Sequence, residues 1–550
     1  MNLSTTEIGT TEIKWCPWIA AAEIVLIFLL FVLHAGWVPP DVNEAHYLAK
    51  AKHHWNSAWC PGDAFLDSAD THLVFYRTFG WLTLYLSLPA VAWVGRILTW
   101  GLMAWAWQRV SVALTAGPLY SVLAAGLFLC FSYRFHMAGE WVVGGVEAKG
   151  FAYVLVLLGL EAIVRGRWRR VWPLLGVASS FHVLVGGWSV VAAGTAWLLM
   201  RTDRHPLVSM LPAVGGGLLL ALPGLIPAIA LNISVDADLV RQANEIYVFL
   251  RLPHHLVLHR LPLGMILRYL GLLAAWLTLC RVSPAEPGDR RLRWFVAGSL
   301  AITAAGAIID LATLNHRAIA AALLRFYWLR LSDVLLPVGM ALTAASFIAR
   351  QSRSRPSVGR WWLSAAVLLA TLSMGENVYR RWRQGAPPAD VRSRLADHDD
   401  WRRACQWIAE NTSSDARFLT PQWQTTFKWY AGRSEVATFK DLPQDAGGIV
   451  QWHERIQAIY ARPADRQRGP WHDSIVELPP ERLIDLARKT NYDFQYILID
   501  RTRGAAHLPF EQIYPATPEE NRSYAVFRLL GTPNDNGSSD RERVPAGRPR

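Results

Sequence analysis

The sequence predicts a polytopic α-helical membrane protein with a C-terminal soluble α/β domain, and three observations carry that prediction. Of its 550 residues, 52% are hydrophobic and only 18% are charged. Apolar runs recur through the first two thirds, each near the ~20 residues that about 30 Å of hydrocarbon requires. The arginines stand in short blocks between those runs. The net charge of +12 therefore reads as topology-setting charge, and no nucleic-acid partner is expected.

About eleven spans follow from the runs. The first is Trp18–Leu33, read as an uncleaved span because the run to Val38 is too long for a signal-peptide core. Next come Leu88–Trp107, Leu119–Tyr133 and Phe151–Val164, the last stopping at Arg165, Arg167, Arg169 and Arg170. Spans five and six form a tight pair around Gly186-Gly187, ending at Met200-Arg201. Span seven is Leu207–Leu231 and span eight Leu263–Cys280; span nine ends near Asp310, span ten at Ala349-Arg350, and span eleven is Trp361–Met374.

With the N-terminus in the cytoplasm, every dense arginine block falls on the cytoplasmic side. The odd span count then exports everything after Glu376. The expected setting is a bacterial inner membrane, with a core over 1–378 and outer loops at 39–80, 134–150, 233–262 and 312–330. A soluble periplasmic α/β domain over 379–530 and a disordered tail at 531–550 complete the chain. In the soluble domain the pattern predicts helices at Trp401–Glu410, Gln422–Tyr430, Ile449–Tyr460 and Pro480–Lys489. It predicts strands at Val436–Phe439, Tyr496–Asp500 and Tyr524–Leu529. Of five cysteines, Cys16, Cys130 and Cys280 fall in or beside apolar runs, and a Cys60–Cys405 bridge is open on the oxidising side.

The densest polar group follows span one: Pro39-Pro40-Asp41-Val42-Asn43-Glu44-Ala45-His46-Tyr47. The carboxylates of Asp41 and Glu44 share a helix face, where they could hold a divalent cation or deprotonate an acceptor hydroxyl. The same Asp-x-x-Glu spacing is also a helix-capping arrangement. Asp63, Asp67, Asp70 and His72 read mainly as a solvated loop face.

The second outer loop places Glu140, Glu147 and Lys149 in a Gly-rich turn beside the membrane, either as a site or as a surface pair. His182 stands at the outer end of span five, facing a cavity or simply buried. Adjacent His254 and His255 cannot bind one metal from a helix face, which leaves phosphate or hydroxyl contacts. The strongest single signal is Leu324-Arg325-Phe326-Tyr327-Trp328-Leu329-Arg330-Leu331-Ser332-Asp333. An arginine at membrane depth must face protein, water or an anion, and guanidinium suits phosphate through paired hydrogen bonds. A plain Arg330–Asp333 pair is the competing reading.

Together these features resemble the GT-C superfamily of polytopic membrane glycosyltransferases: an acid opening a long outer loop after span one, a second acidic outer loop, a late outer-side arginine and an exported domain. Trp407–Leu419 and Trp429–Arg433 look like soluble domains that follow such cores. The resemblance implies a sugar moved from a polyprenyl-phosphate-linked donor to a glycan, lipid or protein acceptor on the outer face. It implies Asp41 as base or ligand of a divalent cation (Mg or Mn), Glu44 in support, and Arg325 or Arg330 as phosphate clamp. Glu140, Glu147, Lys149, His182, His254 and His255 would line the substrate site. The sequence lacks an Asp-Asp or Glu-x-Asp pair directly after span one, and no WWD-type motif opens the C-terminal domain. Two other classes stay open: a lipid or polysaccharide transporter, though no internal repeat supports it, and an inactive scaffold for envelope glycan assembly.

Overall fold

The structure, a computed structural model, describes residues 17–115, 117–200, 204–231, 233–462, 471–472, 474–504 and 507–529. Cys16, Arg201 and the 531–550 tail lie outside the described residues. The chain divides into two compact units: one runs to Val38 and adds Asp70–Phe79 and Pro89–Gly385, and the other takes Pro39–Ala69, Gly80–Leu88 and the chain from Ala386. Residues 39–69 thus belong with the C-terminal domain.

The first unit is helical. Every apolar run read from the sequence is a helix, and the register follows simple end chemistry. Pro287 and Pro356 open their helices, where a missing N–H costs nothing. Glu286 and Asp289 form a capping box ahead of Pro287–Ala312. Gly385, at φ +66°, ends Pro356–Gln384 in the left-handed conformation.

Five helices are long and apolar enough to cross a membrane by length and composition: Pro17–Ala35, Leu207–Ala230, Leu263–Val282, Pro287–Ala312 and Arg330–Ser354. Arg330–Ser354 is the central one, with 83% of its apolar window buried against 11% for Leu207–Ala230. Tyr120–Arg134 and Val183–Leu199 are apolar but shorter.

Where spans five and six were expected, Trp168–Phe181 and Val183–Leu199 meet at His182, whose extended backbone (φ −149°, ψ 101°) interrupts the helix. Trp168–Phe181 packs on Leu207–Ala230 through glycines: a Cβ on Gly176 would lie 2.1 Å from Gly217 O. Small residues let two backbones approach this closely. Arginines beside the expected cytoplasmic ends are paired, Arg109 and Arg165 with Glu161 at 2.9 and 2.6 Å and Arg350 with Asp289 at 2.8 Å.

The second unit is built on a five-stranded sheet of order β2-β1-β3-β5-β4, with β1 Arg417–Leu419, β2 Ser434–Glu435, β3 Tyr496–Asp500, β4 Glu511–Tyr514 and β5 Tyr524–Arg528. β2, β1 and β3 run parallel; β5 pairs antiparallel with β3, and β4 with β5. Trp401, Phe418, Phe427 and Tyr524 centre the core. Asp397 and Asp445 cap helices His398–Asn411 and Ala446–Tyr460 by accepting from Asp400 N and Gly448 N.

Three local readings shift. The aromatic helix shortens to Phe427–Ala431 because 421–424 form a turn with Gln422 and Gln424 buried. The strand expected at Val436–Phe439 falls instead at Ser434–Glu435. β4 was not anticipated, since two of its four residues are charged or amide-bearing. Cys60 and Cys405 are buried, unbridged thiols.

Candidate functional site

In the first unit, the loop at 134–150 and the start of Arg330–Ser354 meet. Lys149 Nζ lies 3.3 Å from Glu140 Oε1 and 3.6 Å from Glu147 Oε2, and packs over the Trp141 ring at 4.1 Å. Arg330 Nε lies 3.2 Å from Glu140 Oε2 without hydrogen-bond alignment, and its guanidinium covers the Tyr327 ring at 4.3 Å. Glu140, Glu147 and Lys149 are buried, whereas the Arg330 side chain keeps 24% of its surface exposed. Asp333 does not pair with Arg330. Its carboxylate accepts from the backbone N–H groups of Met137 (2.8 Å), Ala138 (2.7 Å) and Glu140 (3.3 Å). With Asp333's charge absorbed by those donors, two cations stand against two carboxylates.

The expected histidines ring this group. His255 Nδ1 lies 2.6 Å from Ala138 O, so it carries the proton and donates, and Nε2 is left as an acceptor. Burial, with Arg330 and His254 adding to it, holds the imidazole well below its usual pKa, hence neutral. The His254 ring lies beside it, tilted by 46° with centroids 4.0 Å apart. His182 accepts from Val185 N through Nδ1 and lies 5.3 Å from the His72 ring. Arg325 instead donates to Asn244 Oδ1 at 2.6 Å, near the Tyr247–Tyr327 hydroxyl pair (2.8 Å).

In the second unit, Asp41 and Glu44 form a local turn. Glu44 Oε2 accepts from Asp41 N at 2.8 Å, and Asp41 Oδ1 from Val42 N at 2.7 Å. Half of the expected reciprocal cap is therefore present, through Glu44. Both side chains are buried.

A second polar centre was not read from the sequence. Lys428 Nζ meets Glu435 Oε1 at 2.5 Å, Asp441 Oδ2 at 2.6 Å and Asp63 Oδ2 at 3.2 Å. Asp441 Oδ1 reaches His46 Nδ1 at 3.1 Å, and Glu435 Oε2 accepts from Thr420 Oγ1 at 2.7 Å. All these groups but His46 are nearly sealed from solvent. Asp63 is thus no solvated loop acid: it also accepts the N–H groups of Phe65, Leu66 and Glu435.

Burial opposes the charge on Lys428, but three carboxylates outweigh it and hold the ammonium well above its usual range. Burial pushes Glu435 up to about 7, with Asp441 and Asp63 adding to the shift against Lys428. Burial would also raise Asp441, yet Lys428 and His46 hold it below the ordinary carboxylate value. Burial lowers His46 despite the Asp441 contact. Lys428, Glu435 and Asp441 are close in sequence, but Asp63 and His46 come from more than 350 residues earlier, so no local spacing could have joined the whole centre.

The divalent cation expected at Asp41 finds no ready shell. Among the described residues no three His, Cys, Asp or Glu side chains converge as ligands, and Asp41 Oδ1 and Glu44 Oε2 are already accepting backbone donors. The residues present do not fit the ion.

Residues 399–459 match the model of a domain of unknown function, DUF6798. No curated protein sequence matches the chain. Among solved structures, the chain is similar to the Archaeoglobus fulgidus oligosaccharyltransferase, in a crystal structure with Zn and sulfate. Identity is 12% over 87% of this chain and 67% of that one, with a TM-score of 0.40. It is also similar to the archaeal oligosaccharyltransferase AglB from Archaeoglobus fulgidus, in complex with an inhibitory peptide and a dolichol-phosphate. There identity is 12% over 94% and 74% of the two chains, with a TM-score of 0.38. At such scores the likeness transfers neither fold nor activity.

Proposed function

We propose that the chain is a membrane glycosyltransferase of the GT-C type, moving a sugar from a polyprenyl-phosphate-linked donor to a glycan, lipid or protein acceptor on the outer face of a bacterial inner membrane. The observation that carries this reading is Arg330. A partly exposed guanidinium at the head of a mostly buried apolar helix, held by Glu140 without hydrogen-bond alignment, suits an anion presented from the bilayer.

In this proposal Arg330 clamps the lipid phosphate. Lys149 supplies a second cation, and Glu140 and Glu147 orient the pair. His255 offers its neutral Nε2 to a donor hydroxyl, with His254 and His182 beside it, and Arg325 stiffens the rim through Asn244. Asp41 remains the proposed base and Glu44 its positioning residue, each read within the second unit alone. No step is routed through a metal.

The test is transfer of labelled sugar from a short-chain polyprenyl-phosphate donor to envelope acceptor fractions by purified protein. Transfer by the wild type, lost in Arg330→Ala at equal protein level, is the expected result. Absence of both transfer and polyprenyl-phosphate binding in the wild type would sink the proposal. Orientation is tested by fusions: a reporter active only outside the cytoplasm should work after Leu529, and one active only inside should work within 350–360.

A further inference from the structure

The turn that leads into Arg330 carries backbone strain. Tyr327 has φ +57°, in the left-handed region where a bulky side chain is an outlier and glycine or asparagine sits freely. Among the described residues it is the one aromatic side chain at positive φ. Such strain persists only where the surroundings over-determine it, and it collects at functional sites. Here the surroundings do so. Trp188 Nε1 donates to Phe326 O at 2.7 Å, and Trp328 Nε1 donates to Leu323 O at 2.8 Å. Trp328 Cβ packs on bare backbone, 2.3 Å from where a Cβ on Gly306 would stand. Arg330 N then donates to Tyr327 O at 3.2 Å and closes the turn.

The strained residue meets a second irregularity. Its hydroxyl lies 2.8 Å from that of Tyr247, which stands in a π-helical turn, Ile246–Arg251. There Leu252 N donates to Tyr247 O, five residues back, at 3.0 Å. Turns of this kind are also frequent at functional sites. The Tyr327 ring is thus held at both ends, by its backbone and by its hydroxyl, and the Arg330 guanidinium lies over it at 4.3 Å. Glu140 attracts that guanidinium without orienting it, since Nε has no hydrogen-bond partner among the described residues. An aromatic face does orient it: stacking fixes the plane of the fork and leaves its N–H groups to an incoming acceptor.

We infer that Tyr327, tethered by Tyr247, is a positioning residue that holds the Arg330 guanidinium ready for a phosphate group. The inference rests on the reading of Arg330 as a phosphate clamp. A turn that needed only this backbone conformation would be better served by glycine or asparagine. Tyrosine is accounted for by its side chain, whose ring seats the guanidinium and whose hydroxyl is anchored on the neighbouring π-helical turn.

The experiment uses the full chain in detergent with isotope-labelled arginine. The Arg330 Nε–Hε resonance, identified by its loss in Arg330→Lys, should lie upfield in the wild type, where the ring shields it. It should return to the ordinary position in Tyr327→Leu and stay upfield in Tyr327→Phe, which keeps the ring; a tyrosine that only packs would leave it unmoved. Affinity for inorganic phosphate and for short-chain polyprenyl phosphate should fall about tenfold in Tyr327→Leu and about threefold in Tyr327→Phe. Tyr247→Phe should match Tyr327→Phe, and the two together should lose no more, because each breaks the same hydroxyl pair. These phenylalanine variants decide the matter if Tyr327→Leu fails to fold. A resonance unmoved by Tyr327→Leu, wild-type phosphate affinity in that variant, or absent or unequal losses in the two phenylalanine variants overturns the inference, whether or not the donor binds. Phosphate binding that falls in Tyr327→Leu, with no polyprenyl-phosphate binding by the wild type, upholds Tyr327 and sinks the lipid-linked donor instead. Binding of neither anion by the wild type overturns both.

Discussion

Arg330 takes its ion pair from Glu140, 3.2 Å away, rather than from Asp333 one helical turn along its own helix. Asp333 is spent on three backbone N–H groups of the 137–140 turn. One acid therefore builds the turn and the other, carried by that turn, meets the arginine. A buried carboxylate anchored this way fixes where Glu140 can stand, and so where the guanidinium points.

Replacement of Arg330 separates charge from geometry. Lysine keeps the charge but not the fork, so Arg330→Lys should weaken short-chain polyprenyl-phosphate binding clearly and Arg330→Ala should remove it. Losing a hydrogen bond to a charged group costs about 1.5–3 kcal/mol, roughly ten- to a hundredfold in affinity. Unchanged affinity in the alanine variant would refute the clamp and favour a scaffold.

Asp333→Asn puts an N–H₂ against one of the N–H donors of Met137, Ala138 or Glu140, whichever way the amide turns. An expected loss of about 1–3 kcal/mol follows from that buried mismatch. Thermal melting in detergent reads it, and donor affinity should fall in step as Glu140 loses its seat. Wild-type melting in this variant would show that the turn does not depend on Asp333.

Asp41 and Glu44 should part ways. Glu44→Gln keeps an oxygen for Asp41 N, so stability should drop by at most about 0.5–2 kcal/mol, the range of a lost cap. Asp41→Asn should abolish transfer at nearly unchanged stability. Full transfer activity in Asp41→Asn would end its role as base.

The helical unit was largely legible because burial in lipid or in a helical core demands long apolar runs, and these stand out between arginine blocks. Pro17–Ala35 and Leu207–Ala230 differ from their expected bounds by a residue or two. The end of span five at His182 was read from the sequence, but the turn expected at Gly186-Gly187 was not there: both glycines lie inside Val183–Leu199, and the chain breaks at His182 without a proline or glycine. In the second unit most of the helices and the long strand β3 followed from periodicity. Two-residue β2 and polar β4 did not, since pairing rather than pattern defines them. Of the candidate residues named from one loop or one helix, Glu140, Glu147, Lys149 and Arg330 come together in the structure. The Lys428 centre was missed because Asp63 and His46 reach Lys428 and Asp441 only through folding, and Lys428, Glu435 and Asp441 by themselves form no recognisable motif.

That centre sets a pH dependence for the second unit. Glu435 is raised from an ordinary 4.5 to about 7, chiefly by burial, so between those values the folded unit holds a proton that the unfolded chain has released. The sign follows: this group's contribution is fully present below about 4.5 and is lost as pH rises through about 7. Its slope can reach about 1.4 kcal/mol per pH unit. Asp441, held below its ordinary value of 3.8, works in the other direction, and its contribution is lost only as pH falls below that value. The windows of Glu435 and Asp441 do not overlap, but His46, lowered from 6.5 by burial, works against Glu435 below that value, so the fall in stability is clearest between pH 6.5 and 7 and belongs there to Glu435. Glu435→Gln keeps acceptors for Thr420 and Lys428 and leaves Asp63 and Asp441 to pair the lysine. It should flatten the slope and make the unit more stable than wild type at pH 8. Hydrogen exchange of the β1 and β3 amides in the full chain reads the second unit directly. A wild-type slope in Glu435→Gln would mean that another group titrates there.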